Sequence, residues 1–268
     1  MKKERFISLI LSRACNRKCW YCDIFTNEKR FDVDLDYIKW ICSFFHYVDL
    51  TFEISGGEPG LCDNLIELVE TLEKIPWVKK IDIMSNGLVR KQYDIIDLKK
   101  NFKKINTYDE HLIYDVKNDK IIKNNDLDFD FINTRQICVL TESILDFFIE
   151  NDFNKNFFYF KPMNFKSINL LNNNNYINKL NNFLNIIEGN IFLDDLKFKI
   201  NKFEQKNLLN CIKNKTNTFI LLEEKKIGSC CVSISKSDIF DLNKEYLLNF
   251  EKKEIKKMNM CDTCISWW

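Results

Sequence analysis

The chain has 268 residues, 46% of them hydrophobic and 14% aromatic, enough to bury a sizeable core in one large domain or two smaller ones. Forty Lys and Arg stand against 39 Asp and Glu, a net charge of +1, which removes the electrostatic case for a nucleic-acid or acidic-membrane partner. No apolar run approaches the roughly 18 residues of a bilayer span, and the start, Met1-Lys2-Lys3-Glu4-Arg5, lacks the apolar core of a signal peptide, so a cytoplasmic location is expected.

Residues 5–11 read as a short strand running into a group of cysteines. Ile38, Ile41, Cys42 and Phe45 recur at helical spacing within 34–46, with Asp34 as N-cap. A strand over 50–54 ends in Ser55-Gly56-Gly57-Glu58-Pro59, and 63–74 is helical through Leu65, Leu68, Val69 and Leu72. A third strand, 79–84, ends at Ser85-Asn86-Gly87; a weaker helix over 91–101 and a short strand over 105–108 follow. Residues 131–139 form a firmer strand, Thr141 caps a helix using Ile144, Phe147 and Phe148, and 157–161 is the sixth strand. Strands alternating with helices of these lengths predict a parallel sheet, a partial (β/α)6 TIM-like barrel whose ligands sit at the carboxyl ends of the strands.

Beyond 165 the text changes. Asn172 to Asn175 reads as an exposed loop or helix cap before a helical stretch to about Ile187. Residues 218–222 and 226–231 form a hairpin across Glu223-Glu224-Lys225. The expected division is a barrel over 1–190 and a small hairpin-and-helix domain over 191–268.

Eleven cysteines need a reason. Disulfide scaffolds are short and secreted; in a reducing compartment clustered cysteines bind metal or do redox chemistry. Cys15-Asn16-Arg17-Lys18-Cys19-Trp20-Tyr21-Cys22 places three thiols within eight residues. A structural zinc site closes with four ligands, whereas a cubane cluster held by three thiolates leaves one iron open. Glycines are scarce, yet four of the six, Gly56, Gly57, Gly60 and Gly87, follow strand-like runs, where a backbone must turn tightly or approach a ligand.

Cys-x3-Cys-x-aromatic-Cys, followed by Gly-Gly-Glu-Pro after a strand, resembles the radical S-adenosylmethionine (radical SAM) enzymes over roughly residues 5–165. The resemblance implies that Cys15, Cys19 and Cys22 hold a 4Fe-4S cluster whose open iron chelates S-adenosylmethionine. It also implies that Tyr21 belongs to the motif and that Gly56, Gly57, Glu58 and Pro59 meet the methionine amino group. It further implies that Ser85 and Asn86 lie near the ribose and methionine moiety, and that Val139, in Ile137-Cys138-Val139-Leu140, lies near adenine. Arg17 and Lys18 either moderate the cluster's charge or form a solvated face.

Strand alternation supplies substrate-site candidates. Phe52 and Ile54 point outward and Glu53 and Ser55 inward; Arg135 shares a face with Asn133; Tyr159 and Lys161 oppose Phe158 and Phe160. Glu53, Arg135, Tyr159 and Lys161 are therefore candidates for catalysis, with a structural ion-pair network as the alternative. Tyr108 and His111, in Tyr108-Asp109-Glu110-His111 after the fourth strand, complete the set, while His46 reads as a helix-end packing residue. Cys42, Cys62 and Cys138 read as buried apolar residues.

Cys211 before the hairpin, Cys230 at its end and Cys261-Asp262-Thr263-Cys264 look like the Twitch domain, the shorter relative of SPASM. That resemblance implies a second, fully ligated 4Fe-4S cluster on Cys211, Cys230, Cys261 and Cys264, with Cys231 able to replace Cys230, acting as an electron relay. The expected function is abstraction of hydrogen from a small molecule by a 5′-deoxyadenosyl radical, an oxidation of an alcohol or sugar, with a flavodoxin- or ferredoxin-type reductant. Maturation of a ribosomally made peptide and a zinc-stabilised binding module are the alternatives. The absence of a recognition domain ahead of the first strand leans toward the small molecule.

Overall fold

The computed structural model describes residues 4–19, 22, 27–111, 113–115, 120–122, 133–150, 158–162, 173–188, 193–194, 197, 217–228 and 240–244. Packing divides the chain into two compact units, one of Met1–Asp109, Asp128–Thr134 and Asn214–Lys256, the other of Glu110–Leu127, Arg135–Lys213 and Lys257–Trp268.

In the first unit, β-branched and Leu residues build strand β1 (Glu4–Ile10), whose Ile7 and Leu9 are fully buried. Helix α1 (Leu35–Ser43) starts where predicted: the Asp34 carboxylate accepts from the Tyr37 N–H at 2.9 Å. Strand β2 (Asp49–Ser55), helix α2 (Leu65–Lys74) and strand β3 (Val78–Ser85) follow, with Leu65, Leu68, Val69 and Leu72 as the buried stripe of α2. The single weak helix expected over 91–101 is two, α3 (Leu88–Gln92) and α4 (Ile95–Asn101). Tyr93 is extended, and the Asp94 carboxylate takes the N–H groups of Ile96 and Asp97 (2.8 and 3.0 Å), a new N-cap that restarts the helix.

Strand β4 (Ile105–His111) runs three residues further than expected. Asp109 and Glu110 look like loop residues in the sequence but are buried in the strand, so Tyr108 and His111 lie within β4 rather than after it. A small antiparallel hairpin, β5 (Ile113–Asp115) and β6 (Lys120–Ile122), was not anticipated.

Strands β1, β2 and β3 are parallel, Ser8 opposite Glu53 and Glu53 opposite Asp82. On the other side of β1 lies β9 (Asn217–Leu221), also parallel, with Phe6 opposite Asn217 and Ile10 opposite Leu221. Its hairpin partner β10 (Lys226–Gly228) and the two-residue β11 (Phe240–Asp241) complete the order β11-β10-β9-β1-β2-β3-β4 in this unit. The hairpin read from 218–231 is present over its described residues, and it extends the first unit's sheet. One core joins Ile7, Leu9, Phe52 and Ile54 to Ile38, Ile41, Leu68 and Leu72, and it takes in Ile220 and Ile227 from the hairpin.

The second unit holds β7 (Asn133–Leu140) and β8 (Phe158–Pro162), parallel, with Gln136 opposite Phe158 and Val139 opposite Lys161. Thr141 Oγ1 accepts from the Ile144 N–H (3.2 Å) and starts α5 (Glu142–Glu150), as predicted. The asparagine run is the cap of α6 (Asn174–Ile186), where Asn173 Oδ1 accepts from the Asn175 and Tyr176 N–H groups. Phe148, Phe160 and Phe183 meet with ring centroids 4.9 to 5.7 Å apart, and the buried Tyr176 hydroxyl donates to the Leu140 carbonyl at 2.7 Å.

The six barrel strands expected from the sequence are all present, as β1 to β4, β7 and β8. Among the described residues no helix is long and apolar enough to cross a membrane. Tyr176→Phe leaves the Leu140 carbonyl buried without its donor and is expected to cost about 1 kcal/mol in denaturant unfolding, with secondary structure unchanged.

Candidate functional site

Three loops leave the carboxyl ends of β1, β2 and β3 together, because the strands are parallel and in register. The first carries the cysteines. Its chain continues the β1–β2 ladder past the strand ends: the Leu11 N–H donates to the Ser55 carbonyl (3.0 Å), Gly57 N–H to Ser12 (2.8 Å) and Glu58 N–H to Ala14 (2.8 Å). The approach is so close that a Cβ on Gly57 would lie 1.9 Å from the Ala14 oxygen, and one on Gly56, at φ +128°, 2.6 Å from the Ser12 oxygen. The double glycine thus serves the seating of the cysteine loop, a reason beyond the ligand approach read from the sequence.

Glu58 ties in the third loop. It is 1% exposed, and its Oε1 accepts from the Gly60 N–H and the Ser85 hydroxyl (both 2.8 Å), its Oε2 from the Asn86 N–H (2.7 Å). Burial pushes its carboxyl above the ordinary range, against the pull of these donors and of Arg17. Ser85 Oγ in turn accepts from the Gly87 and Val89 N–H groups, with Gly87 left-handed at φ +96°. The Asn86 amide then reaches the cysteine loop, donating to Asn16 Oδ1 (2.8 Å) and to Cys15 Sγ (3.6 Å). Asn86 Oδ1 is buried and, among the described residues, receives no hydrogen bond.

Cys15 is anchored by its own N–H on the Asn27 carbonyl (2.8 Å), and Cys22 N–H folds back on the Cys19 carbonyl (2.9 Å). The returning chain is fixed to the second loop by Asn64, whose side chain bonds both the N–H and the carbonyl of Val33 (2.9 and 2.8 Å), and by the Arg30–Asp63 ion pair. All three thiols are half-buried. Burial first, then the charges of Glu58, Cys19 and Cys22, raise the Cys15 thiol to about 11, so it is protonated at neutral pH and must lose its proton on binding metal. Lys18 is exposed 3.9 Å from Glu28, a solvated face.

This donor set fits an iron–sulfur cluster and S-adenosylmethionine. Three thiols come from one loop, an amide N–H points at one sulfur, and an orphaned carbonyl oxygen beside it awaits an amine or hydroxyl donor. No three His, Cys, Asp or Glu among the described residues meet at one ion; a cubane takes each thiolate on a separate iron.

Of the substrate candidates, Glu53 is buried and accepts from the Ser8 hydroxyl at 2.9 Å, with the Ser8 and Ser55 hydroxyls 3.2 Å apart. Tyr108 and Tyr159 are buried and His111 is partly exposed. Arg135 and Lys161 are placed only as strand positions in β7 and β8, and Val139 is buried in β7. Cys42, Cys62 and Cys138 are buried as expected, their thiols pushed up by burial. His46 lies past the end of α1, its Nδ1 2.9 Å from the Ser43 carbonyl oxygen and its ring edge-on to Tyr47 and Trp77. Tyr21, Cys211, Cys230, Cys231, Cys261 and Cys264 lie outside the described residues. Sequence reasoning missed Ser12, Asn16 and Asn27, which act through short polar contacts that carry no pattern of their own.

A parallel α/β sheet with a three-cysteine loop after its first strand defines the class. No family model matches the chain. It is 29% identical over 90 residues to the GTP 3′,8-cyclase of Psychromonas ingrahamii, covering 32% of this chain and 26% of that enzyme. It is 31% identical over 87 residues to the GTP 3′,8-cyclase of Stenotrophomonas maltophilia, covering 31% and 26%. The match thus spans about a quarter of these relatives' length. Among solved structures, Streptococcus suis SuiB bound to S-adenosylmethionine shares the fold at a TM-score of 0.56 and 17% identity, over 93% of this chain and 66% of that one. So does anSMEcpe with bound AdoMet and the Cp18Cys peptide, at 0.54 and 14% identity, over 92% and 80%. Over this stretch of sequence, and in its fold, the chain is similar to radical SAM enzymes.

Gly57→Ala is expected to break the bonds to Ser12 and Ala14, each about 1 kcal/mol, and to speed hydrogen exchange at amides 57 and 58 while the rest of the sheet keeps its protection. The raised Glu58 carboxyl gives a pH signature. Its contribution to stability is fullest below 4.5 and is lost as pH rises through the raised value, so the stability of wild type relative to Glu58→Gln should fall from acid to neutral pH in urea unfolding.

Proposed function

We propose that the chain is an enzyme that binds S-adenosylmethionine next to a 4Fe-4S cluster on Cys15, Cys19 and Cys22, and uses it to take a hydrogen atom from a substrate. When bound and reduced, the cluster supplies the electron that breaks the sulfonium, giving methionine and a 5′-deoxyadenosyl radical. The observation that carries this reading is the three-loop lock, in which the Gly57 and Glu58 amides hold the cysteine loop and Asn86 holds both Glu58 and Cys15. Asn86 Oδ1 takes a donor from S-adenosylmethionine, and the Gly56 to Pro59 segment lines the side where its amino group sits.

The substrate-site candidates are Glu53 and Tyr108 on the first unit and His111, Arg135, Tyr159 and Lys161 on the second. In the reading we favour, the substrate is a small alcohol or sugar. Its carbon gives one hydrogen atom to the adenosyl radical and its hydroxyl a proton to a base (His111 or Glu53); Cys211, Cys230, Cys261 and Cys264 would hold an auxiliary 4Fe-4S cluster, which would supply the acceptor for the second electron, so that a carbonyl forms. A flavodoxin- or ferredoxin-type protein supplies the first electron. A second reading, modification of a peptide, draws support from the fold shared with SuiB bound to the precursor peptide SuiA (TM-score 0.54) and with anSMEcpe bound to a peptide.

Anaerobic reconstitution followed by chromatography of 5′-deoxyadenosine tests the proposal. Alanine at Cys15, Cys19 or Cys22 should abolish cleavage of S-adenosylmethionine, whereas alanine at Cys261 and Cys264 should spare cleavage and stop product. Equal loss of both in the second pair counts against the relay. Deuterium carried from a labelled alcohol or a labelled peptide into 5′-deoxyadenosine separates the two substrate readings.

A further inference from the structure

The turn between β9 and β10 grips the root of the cysteine loop from the side opposite Gly57. The β1–β9 pairing does not stop at the strand ends, since the Leu222 N–H donates to the Ile10 carbonyl at 3.0 Å. Glu223 and Glu224 therefore emerge beside Ser12 and Arg13. The Ser12 hydroxyl donates to Glu223 Oε2 at 2.8 Å, and the Arg13 N–H points at the same oxygen at 3.4 Å. Arg13 Nε donates to Glu224 Oε1 at 2.6 Å, an ion pair with both side chains about two-thirds to three-quarters buried, at 26% and 31% exposure. Ser12 Oγ also accepts the Ala14 N–H (3.0 Å), so the carboxylates act on a residue already bonded to the next turn of the loop.

The turn is itself held from behind. Lys225, not a glycine, adopts a left-handed φ of +50°, a conformation that needs support. Its N–H donates to the Leu222 carbonyl (3.1 Å), its carbonyl accepts the Leu242 N–H (2.7 Å), and its ammonium lies 5.1 Å from the centroid of the Tyr37 ring. Two acidic side chains are thus presented rigidly to the segment one residue ahead of Ala14-Cys15.

We infer that Glu223 and Glu224 are positioning residues for the Cys15–Cys22 loop: the C-terminal hairpin, through Ser12 and Arg13, sets where the cluster ligands stand. The inference rests on the reading of that loop as the cluster site. Removing the two carboxylates frees Ser12 and Arg13 on one side, while the main-chain bonds from Gly57 and Glu58 remain on the other.

The test uses the full metal-free chain, alkylated by iodoacetamide and mapped cysteine by cysteine by mass spectrometry, with buried Cys42 and Cys62 as internal standards. Glu223→Ala with Glu224→Ala should raise alkylation of Cys15, Cys19 and Cys22 on the order of tenfold and leave Cys42 and Cys62 unchanged. Glu223→Gln, which keeps an acceptor for Ser12, should stay close to wild type. If the double variant fails to fold, Ser12→Ala with Arg13→Gln removes the two side-chain bonds from the loop side, leaving the Arg13 N–H contact, and should give a rise in the same direction. Unchanged rates in these variants, or an equal rise at Cys42 and Cys62, overturns the inference. Iron uptake that depends on Cys15 is measured on the same proteins after anaerobic reconstitution. Absence of such iron in wild type removes the cluster reading, while the alkylation contrast still decides the positioning.

Discussion

The Gly57 and Glu58 amides reach the Ser12 and Ala14 carbonyls across a gap that admits no Cβ. This ladder extension brings the cysteine loop within reach of the third loop, because Glu58, once seated, sets its carboxylate among donors from Gly60, Ser85 and Asn86. A buried carboxylate without those donors would cost several kcal/mol, so the second and third loops are obliged to keep their relative position. Asn86 then carries the constraint back to Cys15. Each contact depends on the one before it, and the first depends on the absence of a side chain.

The polar interior of the strands follows another rule. Parallel strands are covered on both faces, so a residue such as Glu53 has no solvent face to occupy. Ser8, directly opposite in register, supplies a hydroxyl, and Ser55 sits two residues along the same face. The polar row on this face is thus built from short hydroxyls beside a long acceptor, an arrangement that holds the Glu53 carboxylate near the end of β2.

Much of the fold was legible because local chemistry dictated it. Asp34, Thr141 and Asn173 cap helices through their own side chains, and the apolar spacing of α1 and α2 maps onto their buried stripes. What escaped was decided by burial or by distance along the chain. Asp109 and Glu110 carry the look of a loop, yet the strand takes them inside. The split between α3 and α4 turned on whether Asp94 would prefer its own backbone to continuing a helix. Within the site, the cysteine spacing and the glycine pair were readable as motifs, whereas the partnership of Ser12 with Glu223 spans 211 positions and leaves no trace in composition or period.

Strand β1 has a further consequence in time. Its ladder to β2 is available once residue 55 has been made, but its ladder to β9 waits for residues 217 to 221. Until then β1 is an edge strand with one row of N–H and carbonyl groups unpaired. Enclosure of β1 therefore waits on residues made much later, and the loop that follows it acquires its second set of contacts only when the distant hairpin arrives.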